Sequence, residues 1–183
     1  GSRGLGDVYK RQKEGQAALT ALVLKYLGET SGKIADLFCG VGTFSYPLAQ
    51  KPGNRVLAVD ASKELLEGFK NSVNRQMIAN IEIVCRNLFK YPLEGAELEG
   101  LAAVVFDPPR AGAKEQAARL AALPAGKRPR KLIAVSCNPE TFARDAEILQ
   151  NGGYRLCEVT PVDQFVYTSH CELVALFVDE GLL

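Results

Sequence analysis

Five short apolar runs set the limits on what this chain can become. They fall at 33–38, 55–59, 81–85, 102–106 and 132–135, with stretches of helical periodicity between them. Runs this short and this continuously apolar suit strands buried on both faces, and intervening helices supply the crossovers that parallel pairing needs. Two more strand-like runs, 154–160 and 171–178, follow with no helix between them. The pattern predicts an α/β fold, a mostly parallel, doubly wound seven-stranded sheet with an antiparallel edge.

In such a sheet ligands bind outside the C-terminal ends of the strands, so the residues that close each run are the candidates for function. The first run leads into Cys39-Gly40-Val41-Gly42-Thr43. Glycines there let the backbone approach a ligand, and a helix predicted over 43–50 presents its N-terminus to it. The second run closes on Asp60, eighteen positions beyond Gly42, where an acid typically accepts hydrogen bonds from ribose hydroxyls. Ser45 stands where the dinucleotide fingerprint has its third glycine, which counts against a nicotinamide or flavin enzyme. The third run ends at Arg86-Asn87 and the fourth at Asp107-Pro108-Pro109-Arg110, whose prolines stop the strand and stiffen the turn. The fifth leads into Ser136-Cys137-Asn138-Pro139-Glu140-Thr141. Cys137 sits where a strand stops and a helix running to about 150 begins, so its thiol is expected to ionise more easily than a buried one.

Helices are further predicted over 13–27, with Leu19, Leu22, Val23, Tyr26 and Leu27 at helical spacing, over 62–77 with Ser62 as N-cap, and over 113–123. The basic cluster Lys127 to Lys131 reads as a solvated loop, with a phosphate contact as the alternative. Cys39 reads as packing, and Cys85, Cys157 and Cys171 as core or half-buried strand positions. Residues 1–12 have no clear periodicity and are set aside as a tag or non-native leader, leaving 13–183 as one domain.

Composition narrows the classes. With 22 Lys+Arg against 21 Asp+Glu, a net charge of +1 does not announce a nucleic-acid binder. The five cysteines contain no C-x-x-C pair, so no metal site is indicated, and their scatter suits free thiols in a reducing cytoplasm. No run approaches the roughly 18 apolar residues of a membrane span, and no signal peptide opens the chain. A soluble, cytoplasmic, monomeric domain is expected.

Three stretches together, Asp36-Leu37-Phe38-Cys39-Gly40-Val41-Gly42-Thr43-Phe44, Phe106-Asp107-Pro108-Pro109-Arg110-Ala111-Gly112 and Ser136-Cys137-Asn138-Pro139-Glu140-Thr141, carry a resemblance. A fourth, Asp163-Gln164-Phe165 through Thr168-Ser169-His170-Cys171-Glu172, lies near the C-terminus. The chain resembles, over about 13–180, the catalytic domain of the bacterial RNA uracil-5-methyltransferases, which have the class I methyltransferase fold and act on 23S ribosomal RNA or the T-loop of transfer RNA. The resemblance implies S-adenosyl-L-methionine as donor, 5-methyluridine as product and RNA as partner, 23S ribosomal RNA ahead of transfer RNA. It implies Cys137 as nucleophile and Glu172 as general base, with His170 as an orienting partner. It puts Asp60 on the donor ribose, Asp107 near the donor or target base, and Phe38, Gly40, Gly42, Thr43 and Asn87 around the donor.

The chemistry agrees with those residue types. Uracil C5 is too weakly nucleophilic to take a methyl group unaided; a thiolate adding at C6 makes the ring an enolate with electron density at C5. A base must then remove the C5 proton so that the thiolate can leave. The chain also departs from the family. The glutamine of a phenylalanine-x-glutamine motif that helps hold the donor is missing from its expected place at 8–10, and neither Gln12 nor Gln16 fits the spacing. The N-terminal RNA-binding domain of full-length relatives is expected to lie outside these residues. Two other methyltransferase classes fit less well: exocyclic-amine enzymes carry an aromatic where Arg110 stands, and cytosine-5 enzymes need a second cysteine that 107–111 does not offer. A truncated donor- or RNA-binding module without turnover is the alternative from another class.

Overall fold

A computed structural model describes residues 2–163 and 171–183 of the chain. In order the elements are α1 (Ser2–Leu27), β1 (Lys33–Leu37), α2 (Ser45–Gln50), β2 (Arg55–Asp60), α3 (Lys63–Arg75), β3 (Ile81–Cys85), α4 (Ala96–Glu99), β4 (Ala103–Phe106), α5 (Lys114–Ala121), β5 (Lys131–Ser136), α6 (Pro139–Asn151), β6 (Tyr154–Asp163) and β7 (Cys171–Asp179). The strands form one seven-stranded sheet in the order β3-β2-β1-β4-β5-β7-β6. β1 to β5 pair in parallel, β7 runs antiparallel to β5, and β6 pairs antiparallel with β7. The expected class I methyltransferase sheet is present, with β7 inserted between β5 and the edge strand β6.

Helices cover both faces. On one side α5 and α6 place Ala117, Leu120, Ala146 and Leu149 against Leu37, Phe106 and Leu132. On the other, Leu19, Val23, Leu48, Leu66 and Phe69 from α1, α2 and α3 pack on Ile34, Ala58, Val105 and Ile133. Local chemistry sets the helix ends. Ser62 caps α3 by accepting from the Leu65 N–H, and Asn138 caps α6 by accepting from the Glu140 N–H, with Pro139 opening the helix.

Several expectations change. The helix predicted from residue 13 extends back to Ser2, though residues 4–7 are exposed and add nothing to the core. α2 begins at Ser45 instead of 43. β6 runs on through Pro161 to Asp163, which a proline permits because the strand is at the sheet edge. Cys85 and Cys157 are exposed, since both lie on edge strands; Cys39 is buried, as expected. The basic cluster is a solvated loop only in part: Lys127 and Arg130 are exposed, whereas Arg128 and Lys131 are tied down. The Arg128 guanidinium is buried against Asp179 at 2.7 Å and donates to the Gly153 carbonyl. The Lys131 ammonium donates to the Tyr26 and Leu27 carbonyls, closing the C-terminus of α1 where its dipole favours a cation. No helix of the described residues is long and apolar enough to cross a membrane.

Candidate active site

Strand alternation and register bring the motif residues to one place. Ile34, Ala58, Val105, Ile133, Val135 and Val174 share one sheet face, and side chains two positions on continue it. Asp36 lies in the row Ala58–Asp36–Val105–Ile133–Leu176. One row higher, toward the C-terminal ends of the parallel strands, come Asp60 and Asp107. One row above that come Cys137 and Glu172, since Cys137 directly follows Ser136 at the end of β5 and Glu172 directly precedes its partner Leu173 on β7. The result is a staircase of acids rising to a thiol. It climbs beside β1 and β4, where successive strands depart to opposite sides and a doubly wound sheet opens its binding crevice.

A cleft of about 560 Å³ opens beside this staircase, lined by Phe38, Asp60, Ser62, Phe89, Asp107 and Pro108 among others. That volume falls within the roughly 300–1,000 Å³ of small-molecule sites. Phe38 has φ +60, a left-handed conformation that is uncommon for a phenylalanine. Its ring lies 5.5 Å from that of Phe89. Asp60 is anchored by the Gly40 N–H at 2.9 Å and the Ser62 N–H at 2.8 Å. The far wall is tied down by Arg86, which holds Glu97 at 2.6 Å and the Tyr91 and Pro92 carbonyls.

Of the residues expected around a donor, Phe38, Asp60 and Asp107 line this cleft, while Gly40 braces Asp60 and a Cβ on it would meet open space. Gly42 does something else: a Cβ there would drive into the Phe69 ring, so its absence serves helix packing. Thr43 is exposed on the loop and does not line the cleft. Asn87 does not line it either; its side-chain oxygen accepts from the Phe89 and Lys90 N–H groups and shapes the turn that presents Phe89. Arg86 and Phe89 were not singled out by motif as cleft residues. The run Arg86-Asn87-Leu88-Phe89 directly after a strand was the available signal.

The turns carrying Asp107 and Cys137 are laced together. The Arg110 carbonyl accepts from Asn138 Nδ2 at 3.0 Å and Thr141 Oγ1 at 3.1 Å, Arg144 donates to the Ala111 carbonyl, and Asp145 accepts from the buried Ala113 N–H at 2.7 Å. Ser136 Oγ accepts from the Asn138 N–H across the cysteine. Sites held by such supporting bonds need little rearrangement before reaction.

The expectation for Cys137 is set against a buried thiol, and burial pushes the buried Cys39 thiol up strongly. Set against an ordinary cysteine, the Cys137 thiol is not made more acidic by its place before α6. Burial, then the Glu172 carboxylate, then Asp107 push its pKa up, outweighing Arg110 and a backbone hydrogen bond. Asp107 is pushed up to about 8 by burial, then Glu172, then Asp36. Asp36 is pushed up to about 7, chiefly by burial, against the lowering effect of its 2.6 Å bond from Ser45 Oγ. Glu172 is half-buried on β7. His170, together with Thr168 of the same motif, lies outside the described residues. No cluster of metal-ligating side chains occurs among the described residues.

Comparison with known proteins places the chain. The tRNA (uracil-5-)-methyltransferase family matches residues 15–179. An uncharacterized RNA methyltransferase of Brucella suis is 46% identical over 164 residues, covering 89% of this chain and 38% of that protein. A 23S rRNA (uracil(1939)-C(5))-methyltransferase of Thiobacillus denitrificans is 38% identical over 163 residues, covering 87% of this chain and 37% of that protein. The crystal structure of the Pyrococcus abyssi tRNA (uracil-54, C5)-methyltransferase in complex with S-adenosyl-L-homocysteine superposes with a TM-score of 0.73 at 32% identity, covering 89% of this chain and 38% of that one. The chain thus spans well under half the length of these relatives. It belongs to the tRNA (uracil-5-)-methyltransferase family.

Proposed function

We propose that this member of the uracil-5-methyltransferase family carries the catalytic half of an enzyme that methylates C5 of a uridine in RNA. The observation that carries the reading is the stacking of Asp107, Cys137 and Glu172 on one sheet face beside a cleft of cofactor size. A structural domain has no need of a half-buried thiol beside two acids whose charges it opposes.

The residues fit the donor. Asp60, held by Gly40 and Ser62, keeps lone pairs for ribose hydroxyls; Phe38 and Phe89 offer apolar ring faces; Asp107 supplies negative charge. S-adenosylmethionine held there would supply an electrophilic methyl group.

The rest is done by side chains of this chain. The Cys137 thiol gives up its proton to solvent water and its sulfur bonds to uracil C6, moving the C5–C6 π pair toward C5 and O4. Once C5 carries the methyl group it still holds its hydrogen. Glu172 takes that proton, the C5–H pair re-forms the ring double bond, and the C6–S pair returns to sulfur as Cys137 leaves. The base must be extruded from its stack to reach the thiol. We assign 23S ribosomal RNA as the substrate, supported by the activity for which the Thiobacillus relative is named. The archaeal structure supports transfer RNA as the second choice.

Calorimetric titration with S-adenosylmethionine, followed by a methylation assay on a uridine-containing RNA hairpin, tests the reading. Donor binding and 5-methyluridine formation are expected. Preference for NADH would contradict it. Mapping 5-methyluridine in RNA from cells with and without the intact protein chooses between the two RNA classes.

A further inference from the structure

The reaction just described leaves Asp36 without a task. Its side chain is fully buried, and among the described residues its Oδ1 makes no hydrogen bond. Ser45 Oγ satisfies only Oδ2. A half-satisfied buried carboxyl is costly, and an apolar residue would fill the same place in β1.

What surrounds it is also acidic. Asp60 from β2 and Asp107 from the end of β4 face it from the row above, with Cys39 on the adjoining loop. Asp107 is faced in turn by Glu172 from β7 and by Cys137 from the end of β5. Arg110 acts on Cys137, but no lysine or arginine figures among the groups that shift Asp36 or Asp107. Arg86, a cation that lines the cleft, is engaged by Glu97 at 2.6 Å and by the Tyr91 and Pro92 carbonyls, so the staircase of carboxyls is complementary to a cation that comes with the ligand.

We propose that Asp36, acting as a positioning residue through Asp107, makes the cleft select the charge state of the donor. The pair is ionised when the positively charged sulfonium compound is bound, and takes up a proton when the uncharged thioether product remains. The inference rests on the reading that this cleft holds S-adenosylmethionine. Donor and product differ by one methyl group and one positive charge, so charge is the larger handle for telling them apart.

The elevated acid pKa values, about 7 for Asp36 and about 8 for Asp107, agree with a free site that holds a proton near neutral pH. A bound cation lowers both. The complex with the cation therefore holds fewer protons than the free protein, and affinity rises with pH through this window, by up to about tenfold per unit for each proton released. Above the Asp107 value the gain levels off. Once the positive charge is gone the proton returns, which weakens retention of the product relative to fresh donor.

The test is calorimetric titration with S-adenosylmethionine and with S-adenosylhomocysteine between about pH 6 and 9, in two buffers of different ionisation heat, so that proton exchange is counted directly. Donor binding is expected to release protons and to tighten with pH; S-adenosylhomocysteine binding is expected to release few and to vary little. Asp36→Asn, which still accepts from Ser45, is expected to reduce proton release and lower the donor-to-product affinity ratio. Equal pH profiles for the two compounds, or an unchanged ratio in Asp36→Asn, would overturn the proposal. If neither compound binds, the donor reading itself fails and the proposal with it. Should Asp36→Asn not fold, the proton count on the unaltered protein still decides.

Discussion

Cys137 follows Ser136 at the end of β5 and Glu172 precedes its ladder partner Leu173 on β7, and burial, then the Glu172 carboxylate, push the thiol's pKa up. The thiolate form of Cys137 is thereby disfavoured. Glu172→Gln is expected to move the midpoint of Cys137 alkylation to lower pH, because a charge that opposed the thiolate is gone. Peptide mass mapping is needed to read this site apart from the exposed Cys85 and Cys157. A midpoint unmoved by the substitution would separate the two residues.

Asp60 lines the cleft and accepts from the backbone N–H groups of Gly40, in the glycine loop, and Ser62. Asp60→Ala removes both anchors and the acceptor offered to a ribose. Donor affinity in calorimetric titration is expected to fall by about 1–3 kcal/mol, the usual scale for hydrogen bonds to a charged group. Unchanged affinity would remove Asp60 from the site.

Two glycines of one loop should respond differently. Gly42→Ala forces a Cβ into the Phe69 ring at φ +91 and is expected to cost about 2–4 kcal/mol in denaturant unfolding, from overpacking and backbone strain together. Gly40→Ala meets open space at φ +55 and is expected to cost about 1 kcal/mol, mainly from the left-handed backbone. Equal losses would contradict the packing argument.

Arg128 and Asp179 form an ion pair whose side chains are 5% and 4% exposed. Arg128→Met would leave the Asp179 carboxylate buried without its cation and is expected to cost about 3–5 kcal/mol. The pair also fixes an acid limb of stability. The guanidinium holds the Asp179 carboxyl below the usual carboxylate range, so its contribution is complete above the unfolded value of roughly 3.9. It is lost as pH falls through the lower folded value. In Arg128→Met this part of the acid limb should disappear, so the stability gap to the unaltered protein is expected to narrow as pH falls below roughly 3.9.

The sheet could be read from the sequence because its signals are local. Runs such as Leu132 to Val135, buried throughout, announce central parallel strands, and Ser62 and Asn138 announce helix starts. The strand-end residues Asp60, Asp107 and Cys137 were legible for the same reason, since a parallel sheet gathers its strand ends at one edge. What remained hidden depends on partners distant in sequence. Arg128 lies 51 residues from Asp179 and Lys131 lies 105 from Tyr26, so nothing in Lys127 to Lys131 distinguishes a clasp from a solvated loop. The thiol's raised pKa likewise comes from burial, then from Glu172 and Asp107 carried by other strands, while the sequence displayed only the adjacent helix start.

The central claim is that Cys137 bonds to the base and Glu172 releases it. In a form of the protein shown to methylate uridine in RNA, Glu172→Gln keeps the side-chain shape but cannot take the C5 proton. The reaction should then stall after methyl transfer. A denaturing gel is expected to show a slow-migrating protein–RNA band built from ordinary uridine, and mass mapping should find the adduct on Cys137 with the methyl group already on the base. Turnover at the unaltered rate with no band, or an adduct on Cys39, would contradict the account.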